Sequence, residues 1–172
     1  MDVVKAIEER HSIRGFTGED VPTEIIMETL RLGNLAPSAG NLQARDFIIV
    51  KDVEMKKRLT KAAFGQRFVD EAPVVVVVCC NQNRIKNYGE RGENLYAIQD
   101  TAAAVQNMML YLVSVGYGTC WVGAFDEKEV TRLMHLPNCA RPVAMIPIGR
   151  PKEPGRTSPR LELDTIVHSE RW

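Results

Sequence analysis

Histidine is scarce in this sequence: His11, His135 and His168 are the only three, far apart along the chain. Cysteine is nearly as scarce. Cys79 and Cys80 are adjacent, Cys120 and Cys139 are isolated, and no C-x-x-C occurs. These spacings exclude a zinc site and leave free, buried thiols in a reducing cytoplasm as the expectation, with no metal ligand. The P-loop, the G-x-S-x-G elbow and H-E-x-x-H are all missing, which excludes the commonest phosphate-cradling and hydrolytic sites. The glycines of GYGTCWVG (Gly116–Gly123) do not make a dinucleotide fingerprint, because their spacing is wrong and they lead from a helix into a strand. Charge of one sign is lacking too. Lys plus Arg and Asp plus Glu number 22 each, so no nucleic-acid or membrane partner is implied and any basic site must be local. Zero net charge also removes the self-repulsion that helps keep a protein monomeric. No apolar run approaches bilayer length; the most apolar, Val74–Cys80, is seven residues. The opening MDVVKAIEERH carries charge from its second residue, so it reads as neither signal peptide nor membrane span, and a cytoplasmic protein is expected.

What remains is an ordinary globular composition, with 172 residues suited to one domain spanning 1–172 and no internal repeats. Asp2 can cap a first helix bearing Val3, Val4 and Ile7, after which Arg10–Thr17 reads as extended. Pro22 opens a second helix, with Ile26 and Leu30 on one face, that ends near Gly33 and Asn34. APSAGNLQ (Ala36–Gln43) is a loop, Phe47–Val50 a strand, and Asp52 the cap of a charged third helix ending near Ala63. VVVVVCC after Pro73 is an unbroken run expected of a strand buried on both faces. A polar connection, 81–93, leads to Leu95, Ile98, Ala102, Val105, Met109 and Leu112, whose spacing predicts a helix of roughly 30 Å. Its stripe reads as core or subunit interface rather than a ligand box. TCWVGAF (Thr119–Phe125) is extended, Asp126 with Glu129 three residues on makes a capping-box-like start for the next helix, and VAMIPIG after Arg141-Pro142 is a further strand. The tail from Arg150 regains apolar residues at Leu161, Leu163, Ile166 and Val167, which would be buried best against another chain.

Chemistry must reside in polar loops. In an extended segment Arg10, Ser12 and Arg14 project to one side, where two guanidiniums and a hydroxyl could grip a phosphate; a solvated, charged helix end fits the same spacing. Ser38, Asn41 and Gln43 form a second cluster, Gln66 and Arg67 a third, and Arg156 and Arg160 lie in the tail.

Taken in order, ERHSIRGF, APSAGNLQ, EAPVVVVV, YAIQDTAAAVQNMML, GYGTCWVGAF, PVAMIPIGRP and VHSERW resemble the FMN-dependent nitroreductase family from about Val4 to Trp172. The resemblance implies that Arg10, His11, Ser12 and Arg14 hold the phosphate and polar rim of FMN, and that Arg160 returns to the phosphate. It implies that Pro37, Ser38, Ala39, Asn41 and Gln43 reach the flavin from the other subunit, and that Gln66 and Arg67 touch the ribityl chain or pyrimidine edge. The backbone of Gly123 and Ala124 would approach flavin N5. Three departures stand out. Ser158 replaces a frequent lysine, Ala44-Arg45 replaces a common Pro-Trp, and the 81–93 connection lacks the lid helices of larger relatives. The last two bear on substrate specificity rather than flavin binding.

The implied fold is α+β, a mixed, mostly antiparallel sheet flanked by helices, whereas strand–helix alternation alone suggests a parallel α/β sheet. The implied assembly is a homodimer that exchanges C-terminal segments and builds two FMN sites across its interface. The implied activity is hydride transfer from NADH or NADPH through flavin N5 to a nitroaromatic, a quinone or a similar small-molecule acceptor, with no catalytic side chain required. A reductive dehalogenase, a reductase fed by a deazaflavin, and a non-catalytic flavin-binding protein are the alternatives on the same scaffold.

Overall fold

The computed structural model describes all residues, Met1–Trp172. Chain order is α1 (Val3–Glu9), α2 (Thr23–Asn34), β1 (Arg45–Val50), α3 (Val53–Ala62), α4 (Phe68–Glu71), β2 (Val74–Asn81), α5 (Gln82–Ile85), α6 (Gly89–Arg91), α7 (Ala97–Ser114), β3 (Gly118–Thr119), α8 (Glu127–Leu133) and β4 (Ala140–Gly149). The predicted caps form. Asp2, Asp52 and Asp126 accept hydrogen bonds from the backbone N–H groups of Lys5, Met55 and Glu129, at 3.0, 2.7 and 3.0 Å. Each satisfies a donor that the first helical turn leaves open.

The four strands lie in the order β1-β2-β4-β3, and every ladder is antiparallel. One isolated parallel bridge, Ser12 to Thr119, makes the arrangement mixed. The α+β expectation therefore holds, and the parallel sheet suggested by strand–helix alternation does not. The central β2 explains why its sequence is apolar without alternation. Val74, Val76 and Val78 pack under α2 and α7 with Ile26, Met108 and Leu112, while Val75, Val77 and Cys79 face α3 and α8 with Leu59, Val130 and Leu133. Two cores, one on each face, need apolar residues at both parities. Each fully buried valine contributes about 1.5–3 kcal/mol of transfer free energy.

Several local expectations need correction. Val3, Val4 and Ile7 of α1 are exposed, and only Ala6 of that helix is buried. The stripe of α7 is rotated in its first half. Ile98 is exposed, while Ala97, Asp100, Thr101 and Ala104 are buried. Polarity hides Asp100 and Thr101 from a hydrophobic-period reading, although both sit on the inner face. The 81–93 connection is a chain of short helical turns, closed by a π-helical turn at Gly92–Tyr96 and anchored by the buried Ile85. Thr119–Phe125 is not a continuous strand. Gly118 and Thr119 pair with β4 and Val122 bridges Met145, but the same register sets Cys120 opposite Pro147, which has no N–H to donate. β4 starts three residues before the expected Val143, at Ala140. Pro142 lies within it, where the β2–β4 register shifts between Val78 and Cys79. Beyond Arg150 the chain folds over its own surface, yet Leu161 and Leu163 both remain 72% exposed.

Candidate functional site

The segment after α1 is threaded between two other strands of chain. Ile13 N–H donates to the Thr119 carbonyl (3.0 Å), Thr17 N–H to that of Arg150 (2.9 Å), and Lys152 N–H to that of Gly15 (3.0 Å). Ile13 and Phe16 turn into the interior, which leaves Ser12 and Arg14 facing outward. Across from them runs the tail. His11 ties it down: Nδ1 donates to the Glu9 carbonyl at 2.8 Å, which leaves Nε2 to accept from the Thr157 hydroxyl at 3.2 Å in the neutral ring. The crossing is so close that a Cβ on Gly155 would collide with Cβ of His11. Glycine is required there for space.

Between segment and tail opens a cavity of about 920 Å³, lined by Arg10, His11, Ser12 and Arg14 on one side and by Lys152, Arg156, Ser158 and Arg160 on the other. Arg10, Arg14, Lys152, Arg156 and Arg160 form no ion pair, although Glu8 and Glu153 also line the cavity. Arg14 leans over the Phe68 ring at 5.8 Å, and Arg160 donates only to the neighbouring Ser158 and Pro159 carbonyls. Five cations without an ion-pair partner, with several hydroxyls beside them, give this cavity a lining whose chemistry suits an anion. Behind the segment, burial pushes the Cys120 thiol pKa up, against the charge of Arg14, a hydrogen bond with Ser12 and the charge of Arg10. The structure thus brings Arg10, His11, Ser12, Arg14 and Arg160 together. Sequence reading missed Lys152 and Thr157, which carry no motif.

Four residues beyond Thr119 lie Gly123 and Ala124. Both are exposed, and neither N–H donates to any protein acceptor. At about 3.3 Å per residue, Gly123 lies at most about 13 Å and Ala124 at most about 17 Å along the chain from the bridge beside Ser12. Gln66 braces the same stretch, its Nε2 donating to the carbonyls of Ala63 and Ala124, each at 3.0 Å. Both amide hydrogens of Gln66 are therefore engaged within the protein, and only its Oε1 is open to a ligand. Arg67 stands exposed beside it with no hydrogen-bonding partner for its side chain.

None of Pro37, Ser38, Ala39, Asn41 and Gln43 lines the cavity. Their loop is a separate, tightly wound feature with left-handed backbone at Gly40 (φ 55°), Asn41 (φ 56°) and Gln43 (φ 49°). Ser38 Oγ accepts from Gln43 N–H (3.0 Å), and Gln43 Nε2 donates to the Asn41 carbonyl (2.8 Å). Ala39 N–H donates to Asp100 Oδ1 at 2.9 Å. Arg45, expected to bear on substrate specificity, is only 2% exposed and faces the interior behind this loop. Burial pushes its pKa down, opposed by the charge of Asp100. Asp100 and Arg45 escaped the sequence reading as a pair; a lone acid within the apolar YAIQDTAAAV and an arginine opening a β-strand were the signals available.

No helix is long and apolar enough to cross a membrane, and no three His, Cys, Asp or Glu side chains converge as metal ligands would. A family model described as the nitroreductase family matches residues 7–67 and 61–150. An NADH dehydrogenase of Thermus thermophilus is 31% identical over 195 aligned residues, covering 97% of this chain and 95% of the relative. An NAD(P)H FMN reductase of Bacillus subtilis is 29% identical over 185, covering 99% of this chain and 74% of the relative. The solved structure of B. megaterium NfrA2 superposes with a TM-score of 0.91 at 28% identity, covering 100% of this chain and 76% of that one.

Proposed function

The chain belongs to the nitroreductase family, and on that premise we propose that it is an FMN-dependent oxidoreductase that carries hydride from NADH or NADPH to nitroaromatic, quinone or similar small acceptors. The observation that carries the reading is the cavity between Arg10–Arg14 and the tail, whose unpaired cations suit a phosphate dianion. Its volume lies within the range of cofactor pockets. Arg10, Arg14 and Arg160, with Ser12, would hold the phosphate, and Lys152 and Arg156 would take over from the lysine that Ser158 replaces. The N–H groups of Gly123 and Ala124 are the donors this chain offers to the ring edge, and they would stabilise negative charge there without moving. When bound, FMN would supply the two-electron redox chemistry that no side chain here provides. No side chain is assigned a proton-transfer role.

The same reading makes the protein a homodimer that exchanges its tails. The exposed Leu161, Leu163, Ile166 and Val167, with Val3, Val4 and Ile7 on α1, support it, since uncovered apolar groups in such number mark an interaction surface. The Pro37–Gln43 loop, which does not line its own chain's cavity, would then serve the partner's flavin.

The test is the visible spectrum of the purified protein with FMN, recorded anaerobically as NADH, NADPH or a reduced deazaflavin is added. Retention of flavin and bleaching by a nicotinamide donor, followed by reoxidation with a quinone, is the expected result. Bleaching by the deazaflavin alone would refute the donor assignment, and a flavin that no donor reduces would refute the enzymatic reading.

A further inference from the structure

The loop Pro37–Gln43 holds a conformation that its sequence alone does not favour. Left-handed backbone is natural for Gly40 and tolerable for Asn41, but at Gln43 it persists only where the surroundings over-determine it. Two arginines do so. The buried Arg45 donates to the Asn34 carbonyl (2.8 Å), the Ala36 carbonyl (2.7 Å), the Pro37 carbonyl (3.4 Å), Asn34 Oδ1 (3.3 Å) and the Asp100 carbonyl on α7 (3.0 Å). It thereby closes the C-terminal end of α2 and fixes the start of the loop. Arg84, on α5, donates to the Gln43 carbonyl (3.1 Å), the Arg45 carbonyl (2.7 Å) and Asp46 Oδ1 (2.7 Å), fixing the loop's end. Between these points Asp100 holds Ala39, and the Tyr88 hydroxyl lies 2.6 Å from where a Cβ on Gly40 would stand.

We propose that Arg45 and Arg84 are positioning residues that clamp the two ends of the Pro37–Gln43 loop, setting the geometry in which Ser38, Asn41 and Gln43 meet the flavin ring. The inference rests on the FMN reading above. It also reassigns the departure at Arg45. A planar guanidinium with five donors can bind carbonyls of α2, the loop and α7 at once. Lysine, with one ammonium, cannot span them. The exposed Arg84 ties the 81–93 connection to the same loop, so that connection supports the flavin site from outside.

The experiment titrates FMN and riboflavin into the apoprotein, following flavin fluorescence and visible circular dichroism, for the wild type, Arg45→Lys, Arg45→Met and Arg84→Gln. Riboflavin lacks the phosphate, so the ratio of the two dissociation constants reports the phosphate cavity alone. The expected result is at least about tenfold weaker binding of both ligands in each variant, as for loss of charge-assisted hydrogen bonds, with an altered visible dichroism and an unchanged ratio. Wild-type affinity for FMN in Arg84→Gln and in the Arg45 variants would overturn the inference while leaving the FMN reading intact. A fall in the ratio would overturn it too, since the damage would then reach the phosphate cavity. If the Arg45 variants do not fold, Arg84→Gln decides, because its side chain lies at the surface. A wild type that binds neither ligand overturns the FMN reading, and the inference with it.

Discussion

Replacing Gly123 by proline rather than by alanine isolates one backbone N–H. Gly123 has no left-handed φ, and a Cβ there first meets Trp121 Nε1 at 3.8 Å, an ordinary contact, so alanine fits without rearrangement. Proline adds its ring and deletes the N–H. That N–H donates to nothing in the protein, so its loss breaks no hydrogen bond of the fold. Proline also restricts the preceding residue to extended conformations. Val122 is already extended, exchanging hydrogen bonds with Met145 at 3.0 and 2.9 Å. Folding stability should thus differ little between the two variants. If the N–H stabilises charge on the reduced ring as a preorganised donor does, its removal is worth about 2.7 kcal/mol, or ~10²-fold in rate. The assay is anaerobic stopped-flow reduction of FMN-loaded protein by NADH or NADPH, with thermal midpoints recorded alongside. Pro slower than Ala by about that factor is expected. Equal rates at equal stability would mean that Gly123 N–H faces solvent throughout the reaction and that the ring lies elsewhere.

Arg14→Ala and Arg160→Ala should each weaken FMN about tenfold to a hundredfold, since a hydrogen bond to a charged group is worth about 1.5–3 kcal/mol. Riboflavin affinity should not change. Arg14 has only the Phe68 ring for company, so its removal should lower stability by at most about 1 kcal/mol. Leu163→Asp with Val167→Asp leaves every cavity side chain in place but makes the exposed tail polar. Sedimentation should then show a dimer weakened by at least about a hundredfold, as loss of two buried apolar side chains predicts, and an undisturbed dimer would place the tail outside the interface. Burial pushes the Cys79 thiol pKa up to about 12 from 9.0, so its thiol stays protonated in the folded state while the unfolded chain ionises first. The stability this confers is complete below pH 9 and declines as pH rises towards 12. Denaturant midpoints of wild type and Cys79→Val should run parallel at pH 7, with the variant gaining relative stability near about pH 10.5. Native protein at about pH 8 should react with a thiol reagent first at Cys139, the one cysteine that is not buried.

Much of this molecule was legible in its residues. The caps at Asp2, Asp52 and Asp126 formed as read, because a carboxylate before a helix acts on donors three residues away. The doubly buried β2 followed from its unbroken valines, and the outward set of Ser12 and Arg14 from strand alternation. These are local facts, decided within a few residues of chain. What the tertiary structure decided is of another kind. Strand order and direction depend on which distant segments meet, and alternation of strands with helices pointed the wrong way. The break in pairing at Cys120 needed Pro147, which is 27 residues off. The exposed apolar faces of α1 and the tail became visible only once the interior had filled without them. Arg45 read as a change at the substrate face, yet it is a buried tie, because its acceptors on α2, the loop and α7 converge only in the folded chain. A guanidinium's meaning is set by the carbonyls around it, and those come from positions that no spacing in the sequence connects.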